Sequence, residues 1–200
     1  MEYDLQREGL ARALADPEIA RILLRTPPVA LYVFEWSSAS MQRPLLSDWV
    51  VVETYEDLGD VIGSLRNAPE AHRHAGTTGL GSALAYAGRK LASAPRCHTQ
   101  TVDVSGDGRN NTGISPSEVY ADPQYHGITV NALVVEGGQT NTAIYGRDVG
   151  LVQWFKQNVI RGPGAFVIVA NGYIDYQRAM KVKLLRELDS VTISGLRLAD

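Results

Sequence analysis

One cysteine, Cys97, stands in the 200 residues, so no internal disulfide can form. That excludes a disulfide-stapled scaffold and leaves the redox compartment open. Long apolar runs are missing as well, since nothing approaches the ~18 consecutive apolar residues of a membrane-spanning helix. An excess of one charge is also missing. The formal net charge is −3, spread along the chain without an acidic or basic tail. Such a chain offers no field to gather nucleic acid. The first residues, MEYDLQREGL, are charged and amphipathic from the start and read as neither a signal peptide nor a transit peptide. No linker, internal repeat or low-complexity segment interrupts the sequence, which predicts a single domain over residues 1–200.

What is present suits a globular chain, with 44% hydrophobic and 20% charged residues. A chain of this length buries roughly 70% of its unfolded surface on folding. YDLQREGLARALADPEIARILLRT sets Leu5, Leu10 and Leu14 at helical spacing. Asp16, Pro17 and Glu18 read as the cap, first-turn proline and acidic first turn of a second helix. PVALYVFEWSS, β-branched and aromatic, predicts one buried strand, and RPLLSDWVVVE predicts another. Thr54 and Asp57 stand at capping-box spacing ahead of a helix with Leu58, Ile62 and Leu65 on one face. A small-residue loop then leads into a helix bearing Leu84, Ala87 and Leu91.

Downstream, HTQTVDVSG, ITVNALVVEG and GAFVIVAN read as strands. They alternate with a short helix capped by Ser115 with Pro116 first, a helix in RDVGLVQWFKQNVI, and a closing helix in YIDYQRAMKVKLLREL. The tail at 189–200 has no dominant pattern. This alternation predicts an α/β fold, a Rossmann-like three-layer sandwich with a mostly parallel central sheet and helices on both faces. Ligands on such sheets bind at the C-terminal ends of the strands. VDVSGDGRNN, residues 102–111, lies at such an end, and AGTTGLGS leads into its helix from the same side if the connections are regular.

Several chemistries compete for these stretches. Gly76 and Gly81 have the spacing of a phosphate-binding Walker loop, but Ser82 stands where the lysine belongs and HRHA ahead of it is no strand. Asp103, Ser105, Asp107 and Gly108 match the first half of a calcium loop, but Ile114 falls where a bidentate glutamate is required. No nucleophile elbow of the G-x-S-x-G type is present. Cys97 beside His98 reads as a small packed residue near a strand start. His72 and His74 flank Arg73 in a polar loop, where they could ligate a metal, but two surface histidines explain them better. An oxygen-rich site for a hard divalent cation could draw on a hydroxyl from Thr77 or Thr78 and the carboxylate of Asp107, with Gly108 turning the backbone away. The plain alternatives are an Asp-Gly turn and a threonine N-cap. Alternation along TVDV sets Asp103 on one side with Ser105 and Asp107, opposite Val102 and Val104.

GTTGLGSAL followed by VDVSGDGRNN resembles the second and third segments of a von Willebrand factor type A domain. With LQREG, FEWS, ITVNALVV and VIRGPGAFVIVANGYIDYQRAMKVKLLREL, the chain resembles a bacterial, usually exported branch of such domains of unknown function, over about residues 4 to 188. The resemblance implies a metal-ion-dependent adhesion site for Mg²⁺ or Mn²⁺, with Thr78 and Asp107 as metal residues. Asp103, Ser105, Thr77, Asn110 and Asn111 would line its rim. The family's first element, a strand ending in D-x-S-x-S, would precede YDLQREG. Its absence from this sequence implies a truncated or late-started chain, weak metal affinity, and an open sheet position. The tail SVTISGLRL, a partner chain or a second copy would fill that position.

The implied function is a non-enzymatic binding or scaffolding module whose cation takes a carboxylate from a protein partner. Two alternatives stand beside it: a metal-assisted hydrolase using Asp103 and Asp107 with His72 or His74, and a structural remnant without metal. The family implies export, whereas the chain as written carries no leader.

Overall fold

The computed structural model describes residues 2–25, 28–69, 76–137 and 150–195. The chain opens with α1 (Glu2–Leu14), α2 (Pro17–Leu23), β1 (Val29–Leu31), β2 (Phe34–Trp36), β3 (Gln42–Pro44), β4 (Val50–Val52) and α3 (Tyr55–Asn67). It continues with α4 (Leu80–Leu91), β5 (Thr101–Gly106), α5 (Pro116–Tyr120), β6 (Thr129–Glu136), α6 (Leu151–Asn158), β7 (Val167–Asn171) and α7 (Tyr176–Gly195). Two compact units emerge. One comprises residues 1–32, 45–68 and 173–200, and the other residues 33–44 and 69–172.

The second unit holds a three-stranded parallel sheet in the order β5-β6-β7. Its centre is β6, where Val130 through Val135 are all buried, as ITVNALVV predicts for a strand covered on both faces. One polar residue in that run, Asn131, is 2% exposed. Its Oδ1 accepts the Phe166 N–H at 3.1 Å, which meets the demand that a buried amide be hydrogen-bonded. Helix α4 buries Leu80, Leu84, Ala87 and Leu91. The Tyr125 hydroxyl donates to the Leu84 carbonyl, and burial pushes its pKa up to about 12. Beside this sheet the unit carries a short antiparallel pair, β2 with β3. The buried carboxylate of Glu35 on β2 accepts from Arg43 Nε on β3 at 2.5 Å.

The first unit packs α1 against α7 and α3, and pairs β1 with β4 in antiparallel register. Its inner helical face differs from the one that leucine spacing suggests. Leu5 is exposed and Leu10 half-buried, while Gly9, Ala11, Ala13 and Leu14 are buried. The reason is a close crossing: a Cβ on Gly9 would lie 2.7 Å from Tyr176 Cδ1. Small residues let the two helices approach, and leucines on that line would not fit. On α3, Val61 rather than Ile62 joins Leu58 and Leu65 in the core.

Two strand expectations need correction. PVALYVFEWSS is two three-residue strands, β1 and β2, and RPLLSDWVVVE supplies β3 and β4. Most of these residues are half-buried. Leu31 pairs with Val50 and Phe34 with Pro44, so the returning chain uses residues 44 to 50 where the outgoing chain needs only 31 to 34. A continuous ladder cannot absorb that excess, and Pro44 has no N–H to extend it. The tail is likewise not a strand as far as Gly195, because α7 runs through it. Residues 190–195 are therefore helical and fill no sheet position, and the rest of SVTISGLRL lies outside the described residues. Cys97 is exposed and lies ahead of β5 rather than packed at its start.

Candidate functional site

Three segments of the second unit meet at the C-terminal end of β5. They are the turn after the strand, the loop before α4, and residues 37–39 after β2. Along β5, Val102 and Val104 are buried, Asp103 is exposed and Ser105 half-buried, the alternation expected of a strand. Asp107 then leaves the strand, half-buried, in a bend with Gly108. A Cβ on Gly108 would stand 3.1 Å from the Thr78 hydroxyl oxygen. The Thr78 hydroxyl therefore lies beside Gly108, the residue that follows Asp107, although the two are far apart in sequence. Thr77, one residue earlier, is exposed at the loop surface.

Thr78 is not the cap of α4. The N-cap is Gly79, which has no side chain to cap with. A Cβ there would fall 2.3 Å from the Ser38 carbonyl carbon, so the backbone of residues 38 and 39 claims the space. The Gly79 N–H donates to the Ser37 carbonyl at 2.7 Å, which ties the loop to the end of β2. The helix-capping explanation of Thr78 is thus removed.

The two asparagines of the motif bind the same loop. Asn111 donates its backbone N–H to the Thr78 carbonyl at 2.9 Å. Its side-chain Oδ1 accepts the Thr78 N–H at 2.8 Å, and its Nδ2 donates to the Gly76 carbonyl at 3.1 Å. Asn110 Oδ1 accepts the Gly81 N–H at 2.9 Å, and its Nδ2 donates to the Ile114 carbonyl at 3.2 Å.

Sequence reasoning missed the third wall. Ser37 is 7% exposed, and its hydroxyl has no hydrogen-bond partner among the described residues. Trp36 lies against Gly106, with its ring carbon 3.7 Å from where a Cβ would be. Ser37 thus bonds the neighbour of Thr78, and the residue before it packs on the neighbour of Asp107. The run SSAS directly after an aromatic strand was the available signal. His72 and His74, the histidines of the hydrolase alternative, lie outside the described residues.

The donor set is one carboxylate with several hydroxyls. It fits a hard divalent cation that keeps most of its waters. Among the described residues no group of three or more His, Cys, Asp or Glu gathers to enclose an ion. No helix among them is long and apolar enough to cross a membrane.

The second unit thus sets a threonine loop and an Asp-Gly turn together at the C-terminal end of one strand of a parallel sheet. The chain belongs to the family described as Protein of unknown function (DUF1194), whose model matches residues 1–192. Among solved structures it is similar to proximal thread matrix protein 1 from the mussel byssus. The TM-score is 0.60 at 13% identity, over 92% of this chain and 42% of that one. The same byssal protein with a zinc-occupied MIDAS motif matches at 14% identity, with the same TM-score and coverage. The pilus adhesin SpaC from Lactobacillus rhamnosus GG, in an open conformation, matches at 14% identity and TM-score 0.56, over 94% of this chain and 28% of that one. The chain therefore spans less than half of these neighbours, and at such identities the likeness is one of fold. None of the curated proteins matches the chain.

Proposed function

We propose that the chain is a non-enzymatic protein-binding or scaffolding module of one domain, with its sheet inside a three-layer sandwich. In this reading it acts outside the cytoplasm. A Mg²⁺ or Mn²⁺ ion binds between Asp107 and Thr78 and keeps a coordination position open. A carboxylate from a protein partner completes the ion's shell, and no bond in the partner is broken. Asp107 serves as a ligand directly or through water, and Thr78 ligates or orients a water. Asp103, Ser105 and Thr77 form the rim that a partner meets. The observation that carries the reading is the Thr78 hydroxyl standing beside Gly108, next to Asp107, when helix capping gives it no task. The adhesion protein and the byssal matrix protein of like fold add support, because one of them holds an ion at a MIDAS motif.

Affinity should be weak, with a Kd on the order of 10⁻³ M, the weak end for oxygen-ligand sites. Calorimetric titration of Mg²⁺ and Mn²⁺ tests the proposal directly. Saturable heat that disappears in Asp107→Ala and weakens in Thr78→Ala is expected. A folded wild-type chain that binds neither ion at 10 mM or so, well above that Kd, would overturn it.

A further inference from the structure

A helix whose N-cap is glycine leaves its first N–H groups without the usual side-chain acceptor. In α4 that acceptor comes from a distant part of the chain. Gly81 is the second helical residue, the position whose N–H a cap side chain ordinarily receives, and it donates to Asn110 Oδ1. Asn110 thus performs the capping of α4 from the far side of the site. Asn111 grips the preceding loop at two residues with three bonds, one to Gly76 and two to Thr78. Its amide accepts from Thr78 with one atom and donates to Gly76 with another, whereas a carboxylate could only accept.

We infer that Asn110 and Asn111 form a clasp that locks the Thr78 loop to the Asp107 turn and so sets where the Thr78 hydroxyl stands. They are positioning residues. They act on the site through Thr78, and the two walls move as one body before any ion arrives. The distant cap also releases Thr78 from the N-cap role that a threonine in this context usually fills. The significance of the clasp for metal binding rests on the proposed function, but the clasp itself does not.

The experiment has two arms. The first measures amide hydrogen exchange at Thr78 and Gly81 by ¹H–¹⁵N NMR in wild type, Asn111→Leu and Asn111→Asp. Asn111→Leu removes both side-chain bonds. Thr78 exchange should rise roughly five- to tenfold, the worth of one hydrogen bond, while Gly81 stays protected. Asn111→Asp keeps the acceptor for the Thr78 N–H but loses the donor to Gly76, so it should raise Thr78 exchange no more than Asn111→Leu does. Equal Thr78 exchange in wild type and Asn111→Leu overturns the clasp. Should Asn111→Leu fail to fold, Asn111→Ser shortens the reach and carries the same readout.

The second arm compares Mn²⁺ affinity in Asn111→Leu, Thr78→Ala and the double variant. A residue acting through Thr78 gives a double variant no weaker than Thr78→Ala alone. Additive losses would show that Asn111 affects the site by another route and would overturn the positioning role. If the wild type binds no Mn²⁺, the proposed function fails, and the exchange arm still decides the clasp.

Discussion

A single methyl group has opposite effects at two glycines. At Gly81 a Cβ would come within 2.0 Å of the Ile114 carbonyl oxygen, and backbone cannot swing aside as a side chain does. At Gly63, on α3, nothing lies within 4 Å. Gly81→Ala should therefore destabilise by about 1–3 kcal/mol or more, as overpacking does, and should disturb the loop that bears Thr78. Gly63→Ala should stabilise by roughly 0.5–1 kcal/mol through backbone entropy alone. Urea midpoints at constant slope measure both. The same contrast explains part of what the sequence hid. GTTGLGSAL shows small residues but not which glycine is crowded by backbone and which is only permissive.

Helix starts were legible because their chemistry is local. Thr54 with Asp57, Asp16 with Pro17, and Ser115 with Pro116 all cap as their spacing predicts. Asp57 accepts from the N–H of Glu53 at 3.0 Å, from the Thr54 N–H at 2.8 Å, and from the Thr54 hydroxyl at 2.9 Å. These bonds, that from the Glu53 backbone foremost, hold its carboxyl below the ordinary 3.8. A depressed folded pKa gives stabilisation that is present above the unfolded value and lost as pH falls through the folded one. Asp57→Asn should thus lower Tm at neutral pH, with the gap to wild type closing below about pH 4, near the unfolded aspartate value. A thermal series from pH 7 to pH 2 checks it, and a gap that persists at pH 2 would argue against the capping carboxylate as its source.

The α4 start was not legible for the opposite reason. Its cap lies 29 residues downstream and its loop clamp up to 35, and no spacing rule reaches that far. The motif VDVSGDGRNN marked the place correctly as a strand end, but gave Asn110 and Asn111 only a rim. The split of PVALYVFEWSS also escaped notice, since the excess that breaks the ladder sits on the partner segment. On α1, hydrophobicity ranked Leu5 and Leu10 above Gly9, whereas a close helix crossing selects by size.

Chain order sets a further constraint. The first unit is assembled from residues 1–32, 45–68 and 173–200, so α1 is made first and its packing partner α7 last. In a chain that stops at Gly172, Gly9 has lost the surface against which it closes, and limited proteolysis should cut Glu2–Leu14 first. At about 5–20 residues per second, α1 leaves the ribosome roughly ten to thirty seconds before α7 is complete. The parallel sheet adds its own delay, because Thr101 must find Thr129 and Val167 must find Ala132 at long sequence separation. Synthesis itself thus keeps the N-terminal segment open to other factors.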